Sequence, residues 1–463
     1  MRPLFGAALL AVASCWAPLG AGAVEDWGTV EARAVALLGR YLRIDTSNPP
    51  GNEILAARFF KEIFDGEGIE AKVIESAPGR GNVYARLPGR GAKPAVVLLN
   101  HMDVVPADPG SWKEPPFSGA VRDGYMWGRG ALDMKGPAIL QLFALLELKR
   151  RGVPLAADLV FLGTADEEAG GALGLGHLLE AEPGLFAGVG LVLSEGGGIR
   201  VGRDGRPRQF NVRVAEKAPL WLRLIARGAP GHGASPGRDS AVASLIRALG
   251  RLAEYRPPIR VLPEVQKFYA DTAAAAPPER RERYRDLRKA LQDPEFAREF
   301  TRDPRDAGAV RNTIAITRLH ASDKINVVPA RAWAELDVRL LPGENPEAFI
   351  AELRRVIADD SIAIEVLLSF PPARSPGHPE AFRVLGAMAR RAGVPLLSPL
   401  GRGFTDCRFF RERNVPCLGF VPLAQSPASE GLAHGVDERI SLDAFRSGLR
   451  AMFELVRELA VTP

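Results

Sequence analysis

Five consecutive apolar residues, Ala95-Val96-Val97-Leu98-Leu99, run straight into Asn100-His101-Met102-Asp103. A short unbroken apolar run bounded by polar residues reads as a buried strand, and buried strands of this kind belong to α/β sheets covered by helices on both faces. The carboxyl end of such a strand is where open α/β sheets place their chemistry. His101 and Asp103 stand two residues apart and project to the same side of the sheet. An imidazole beside a carboxylate is how proteins hold and orient a metal ligand. An H-x-D pair is also a common satisfied polar pair, so the remaining chain has to decide between the two.

Around this strand, helices and strands alternate. A helix is expected from Val30 to Leu42, and a second runs through Phe64 after the turn Asp45–Gly51. Short strands follow at Ala71–Ile74 and Asn82–Leu87, and later at Asp158–Gly163 and Leu191–Ser194. Gly136–Arg151 is apolar on most faces and reads as a buried helix. The alternation implies a largely parallel sheet.

The pattern changes after Val214. Strands at Leu220–Ala226, Asn312–Leu319, Ala332–Leu340 and Ile362–Phe370, with helices at Asp239–Tyr255 and Pro346–Ile357, give the order β-α-β-β-α-β of a ferredoxin-like unit. The expected division is therefore a leader over 1–23, a first part of the main domain over 24–215, an inserted domain over 216–372, and the completion of the main domain over 373–463. Within the insert, 257–309 is rich in both charge signs and reads as an exposed helical hairpin laced with i,i+4 pairs.

The chain has 463 residues, 46% hydrophobic and 25% charged, with a net charge of +5. That is a multidomain globular composition, and the charge is too small and too interleaved to argue for nucleic acid. Arg2 precedes the apolar run Leu4–Ala13, and Ala21-Gly22-Ala23 offers small residues for cleavage, as in a secretory signal. That places the mature protein in the periplasm or outside the cell. The alternative is a lipoprotein signal at Val12-Ala13-Ser14-Cys15, with Cys15 lipidated, and this is the one route to a membrane. Cys407 and Cys417 either pair in an oxidising compartment or remain two buried thiols; the sequence favours the thiols.

Four acidic or histidine clusters follow strand ends or glycine-rich turns: His101 and Asp103; Asp133 in Gly128-Arg129-Gly130-Ala131-Leu132-Asp133; Asp166-Glu167-Glu168; and Glu195 before Gly196-Gly197-Gly198. His434 lies near the end. Each has a plain alternative: Glu167-Glu168 as a solvated loop, Asp133 as a helix cap, His434 as a turn residue. Adjacent glutamates are informative because a carboxylate that ligates a metal cannot also act as a free base. Two His and three carboxylates suit a pair of divalent cations, zinc above all. A neighbouring glutamate can then take the proton of an activated water.

Taken in order, these clusters resemble the M20 metallopeptidases, a family that includes glutamate carboxypeptidase, carboxypeptidase S, aminoacylase-1, acetylornithine deacetylase and succinyl-diaminopimelate desuccinylase. The resemblance runs from about Val30 to Ala460. It implies an α/β fold with a phosphorylase/hydrolase-like catalytic domain on a mixed, mostly parallel sheet, and an inserted ferredoxin-like α+β lid domain. By this similarity His101, Asp133 and Glu195 hold one Zn2+, and Asp133, Glu168 and His434 the second; Co2+ or Mn2+ are expected substitutes. Glu167 is the general base and Asp103 orients His101. His232, in Gly231–Pro236, resembles the lid histidine that stabilises the oxyanion, often across a dimer made through the lid. Asn326 and Arg339 match substrate-contacting positions, Arg339 suited to a carboxylate. Gly401–Asp406 resembles the substrate loop, with Gly403 and Thr405 facing substrate, but it carries Phe404 where a second glycine is common.

The expected activity is an exported di-zinc hydrolase of a peptide or amide bond next to a free carboxylate, of carboxypeptidase or dipeptidase type. The alternative is an N-acyl-amino-acid deacylase, and a remote one is an inactive binding protein of the same fold. A serine or cysteine hydrolase lacks support, since no G-x-S-x-G turn is present.

Overall fold

The strand expected at Ala95–Leu99 forms the interior of a six-stranded sheet in the computed structural model, which describes residues 26–461 except 236 and 238. The proposed leader and Cys15 lie outside the described residues. Strand order is Ala71–Ala77, Arg80–Leu87, Ala157–Thr164, Lys93–His101, Val189–Ser194 and Cys417–Gly419. The first two junctions are antiparallel and the other three parallel, so the sheet is mixed and mostly parallel, as expected. The three parallel strands Lys93–His101, Ala157–Thr164 and Val189–Ser194 end at one edge. Their following loops therefore share one side of the molecule.

Helices cover both faces. On one face Trp27–Leu42, Glu53–Gly66, Lys135–Arg150, Pro379–Arg391 and Leu442–Val461 build the main core. Lys135–Arg150 is buried almost throughout because it packs between Trp27–Leu42 and Leu442–Val461. On the other face Leu178, Phe409 and Phe410 pack against Val97, Leu99 and Val160.

The inserted region forms its own four-stranded antiparallel sheet, in the order Thr313–His320, Arg331–Leu340, Ala218–Arg227, Ala363–Ser369. With helices Ala241–Glu254 and Pro346–Ile357 on one face it encloses a separate core, and its strand order is that of the ferredoxin-like unit. Two neighbouring crossings connect it to the main sheet, where Ala215 pairs with Arg374.

Residues 257–309 differ from the expected exposed hairpin. Five short helices lie between Pro263 and Val310, and they bury Tyr269, Tyr284, Phe296 and Phe300 in a core of their own. Prolines at Pro263, Pro278, Pro294 and Pro304 each start a helix, and Asp293 and Asp303 cap two of them. Proline at the first turn forgoes an N–H that has no partner there anyway. The prolines thus cut what looks like two long helices into several short ones.

Cys407 and Cys417 form a disulfide, with Cα atoms 5.4 Å apart, in place of the two thiols favoured by the sequence. Their strand and helix are neighbours in space, which residue spacing alone does not reveal.

Candidate metal centre and active site

His101 ends its strand fully buried, and its Nδ1 lies 2.9 Å from the Asp103 carbonyl oxygen. Donation there leaves the Nε2 lone pair facing Asp133 Oδ1 at 2.9 Å and Glu195 Oε1 at 3.5 Å. Asp133 Oδ2 lies 3.2 Å from His434 Nε2, which is also 3.2 Å from Glu168 Oε1. Asp133 therefore stands between the two histidines, with Glu195 on one side and Glu168 on the other. Its side chain faces these groups rather than capping the helix that follows. Glu167 is buried beside His101 and Glu195.

Local folding explains why these side chains meet. Asp103 is fully buried, and its carboxylate accepts the N–H groups of Glu167 and Glu168, both at 3.1 Å, and the Asn48 amide at 2.9 Å. It orients His101 through its backbone carbonyl, the carboxylate lying farther off at 3.5 Å. Its main task is to pin the Glu167-Glu168 turn against the strand end. Asp166 opens that turn with a left-handed φ of 69° and is held by Arg80, which also pairs with Glu53. On the other side, Glu438 is fully buried and accepts the N–H groups of Gly130, Leu132 and Asp133, while Arg129 donates to it at 2.7 Å. The pairing of Arg439–Ser441 with Tyr125–Trp127 brings the His434 loop to the Asp133 loop.

Charge is crowded here. Burial, then the negative charge of Asp133, pushes the Glu195 carboxyl up to about 8. Burial also holds Glu167 well above the ordinary carboxylate range, with Glu195 and Glu168 adding to it and His101 opposing. Asp133 goes the other way: hydrogen bonds to His101 and His434 overcome its burial and lower it. The bonds to Asp133 and Glu168 raise His434 to about 10. Four carboxylates this close repel unless cations separate them. Ligand atoms of His101, Glu167 and Glu195, and again of His101, Asp133 and Glu168, lie within 4.8 Å of one another. In addition, Glu167 Oε1 is buried with no protein hydrogen-bond partner. This donor set, nitrogen and oxygen with a central carboxylate, fits two divalent cations.

The other expected site residues are placed differently. His232 and Asn326 lie together: Gly231–His232 pairs with Val327–Val328, and Gly233 N–H donates to the Asn326 carbonyl. His232 is exposed, and no hydrogen bond or ion pair joins it to the carboxylate cluster among the described residues. Arg339 forks onto Asp337 (2.7 and 3.1 Å) and stacks near Trp221 and Phe404. Gly403 faces open space. Thr405 is buried, its hydroxyl donating to Glu216 at 3.0 Å. Next to it Asp406 accepts from Thr164 at 2.7 Å, and burial pushes it up to about 7.

Asn48, Glu53, Arg80 and Glu438 escaped the sequence reading. Only Glu438 carried a signal, as a carboxylate four residues after His434.

A cavity of about 690 Å³ opens from Asp133 and Glu195. Residues 97–458 match the model of peptidase family M20/M25/M40. The chain is 29% identical to the human "N-fatty-acyl-amino acid synthase/hydrolase PM20D1" over 80% of its own length and 75% of that protein's. It is 27% identical to pig (Sus scrofa) aminoacylase-1, over 94% and 97%. Among solved structures it resembles an M20 family metallo-carboxypeptidase from Sulfolobus solfataricus, with TM-score 0.72, 21% identity, and 92% and 98% coverage. It also resembles human carnosine dipeptidase 1, with TM-score 0.69, 19% identity, and 94% and 98% coverage.

Proposed function

The chain belongs to peptidase family M20/M25/M40 and is a hydrolase of that family, and from this premise we propose that it cleaves an amide bond whose amine side carries a free carboxylate, using two zinc ions. One observation carries the reading: His101, Glu195, Asp133, Glu168 and His434 converge around Asp133, with Glu167 buried beside them and one oxygen unpartnered. His101, Asp133 and Glu195 would hold one cation, and Asp133, Glu168 and His434 the other. Bound there, the cations supply Lewis acidity, polarising the scissile carbonyl and acidifying the attacking water.

The protein's own groups do the rest. Glu167 Oε1 accepts the proton of the attacking water and returns it to the departing amine. Asp103 keeps Glu167 and Glu168 in register through their N–H groups.

N-acyl amino acids are the favoured substrates. The curated relatives at 27–30% identity are named for that class, whereas the peptidases resemble the chain in fold. Carboxypeptidase or dipeptidase action is the second reading, since a peptide is an N-acyl amino acid with a larger acyl group. Export is part of the proposal. A disulfide at Cys407–Cys417 belongs in an oxidising compartment, in keeping with a cleaved leader or a lipidated Cys15.

Glu167→Gln tests the base. Hydrolysis of a panel of N-acyl amino acids and dipeptides should fall by about 10²-fold or more, with metal content unchanged. Loss of bound zinc would make Glu167 a ligand instead.

A further inference from the structure

His434 differs from the other candidate ligands in how little holds it. No residue from 424 to 437 is buried, and the His434 side chain is 53% exposed. Backbone bonds from 426 to 435 are short turns within the stretch itself. Past His434, Arg129 donates to the His434 carbonyl at 3.3 Å, and Asp437 accepts the Lys113 N–H at 2.8 Å. Before it, among the described residues, Glu430 is the one side chain of 426–433 joined to the rest of the molecule by a hydrogen bond or ion pair. We propose that Arg305, in the helical insertion, is a positioning residue for His434: through Glu430 it clamps the loop that carries this histidine. The clamp presupposes the two-zinc centre and adds the insertion to it.

Arg305 meets the Glu430 carboxylate with two nitrogens, Nη2 at 2.6 Å from Oε2 and Nη1 at 3.4 Å from Oε1. Arg200 donates to Oε1 at 3.0 Å. Arg200 belongs to the strand Gly198–Val201, which pairs with Ala424–Gln425 at the root of the same loop, so it steadies a neighbour. Arg305 comes from a separate body, 125 positions away in sequence. Its bonds hold the Glu430 carboxyl below the ordinary carboxylate range, so the pair stays charged into mild acid.

A clamp needs a fixed base, and Arg305 has one. It lies in the first turn of Pro304–Val310, where the Asp303 carboxylate accepts its N–H at 2.7 Å. Asp306, in the same turn, accepts from Tyr269 of the aromatic core at 2.5 Å. At the helix's other end the buried Lys217 ammonium donates to the Gly308 and Arg311 carbonyls at 3.2 and 2.8 Å and to Thr313 Oγ1 at 3.1 Å. Lys217 follows the crossing at Ala215 between the two domains. An isolated exposed ion pair contributes little, because both side chains must be ordered to make it. Here the helix that presents Arg305 is already anchored from both ends, and a second guanidinium shares the carboxylate.

The test is the zinc affinity of the full chain, read by competition with a chromogenic chelator, together with amide hydrogen exchange of the metal-free protein. Arg305→Gln should weaken one of the two zinc equivalents about threefold and spare the other. Glu430→Gln, which frees the loop from both guanidiniums, should weaken the same equivalent about tenfold. The double variant should match Glu430→Gln alone, because Arg305 acts through that carboxylate. Arg305→Lys should recover part of the loss. Without metal, the Leu432 and Gly435 amides, which bond within the loop, should exchange faster in Arg305→Gln and Glu430→Gln. Those of Phe296 and Phe300 should not change, which separates a loosened loop from a loosened insertion. Additive losses, wild-type affinity in both single variants, or faster exchange throughout the insertion overturns the clamp. Wild-type protein that binds no zinc refutes the metal centre instead, and exchange at Leu432 and Gly435 then decides the clamp by itself.

Discussion

Glu438 stands behind the metal cluster rather than in it, yet three backbone N–H groups and one guanidinium converge on its carboxylate. It sets the loop that presents Asp133. Outer carboxylates of this kind typically contribute 10–100-fold to metal affinity. Glu438→Ala should therefore weaken metal binding by about that factor in a competition titration with a chromogenic chelator. Unchanged affinity would show that the loop holds its shape without it. At this scale the sequence was partly legible. His101, Asp133, Glu168, Glu195 and His434 each follow a strand end or a glycine-rich turn, and this pattern survives in one dimension. Arg80 and Glu438 act on partners 27 and more than 300 positions away. No local pattern marks them, because a buried charge is recognised only by what surrounds it.

Among the elements, the strands ending at His101, Thr164 and Ser194 were readable from apolar runs alone, and so was the four-stranded insert. The helical insertion was misjudged because its charge is conspicuous, while its aromatic core is scattered over several short helices. The disulfide was misjudged for a related reason: Cys407 starts a helix and Cys417 a strand, and only the fold brings them together. It closes a loop with a sequence separation of 10. Loop entropy then assigns it about 2.5–3 kcal/mol. A Cys407→Ala/Cys417→Ala double variant should lose about that much in urea denaturation, and equal stability of the two proteins would show that the bridge contributes little.

For the whole molecule, the edge strand Thr313–His320 of the inserted sheet is the exposed feature with most consequence. Its outer edge is unpaired among the described residues, and Ile316 and Leu319 are 41% and 60% exposed, with Ile325 and Val327 in the segment that follows at 103% and 44%. An exposed apolar edge is a template for pairing with another chain. We propose that a second copy of the chain docks along this edge. Light scattering should give twice the mass of the chain, and Ile316→Lys/Leu319→Lys should give the monomer; a monomeric wild type would remove the dimer. The metal centre is the more basic claim, because every catalytic assignment depends on it. Elemental analysis of dialysed protein tests it most directly. About two equivalents of zinc per chain are expected, falling to one or none in His101→Ala and in His434→Ala. A wild-type protein without divalent metal, or full occupancy in both histidine variants, would contradict it.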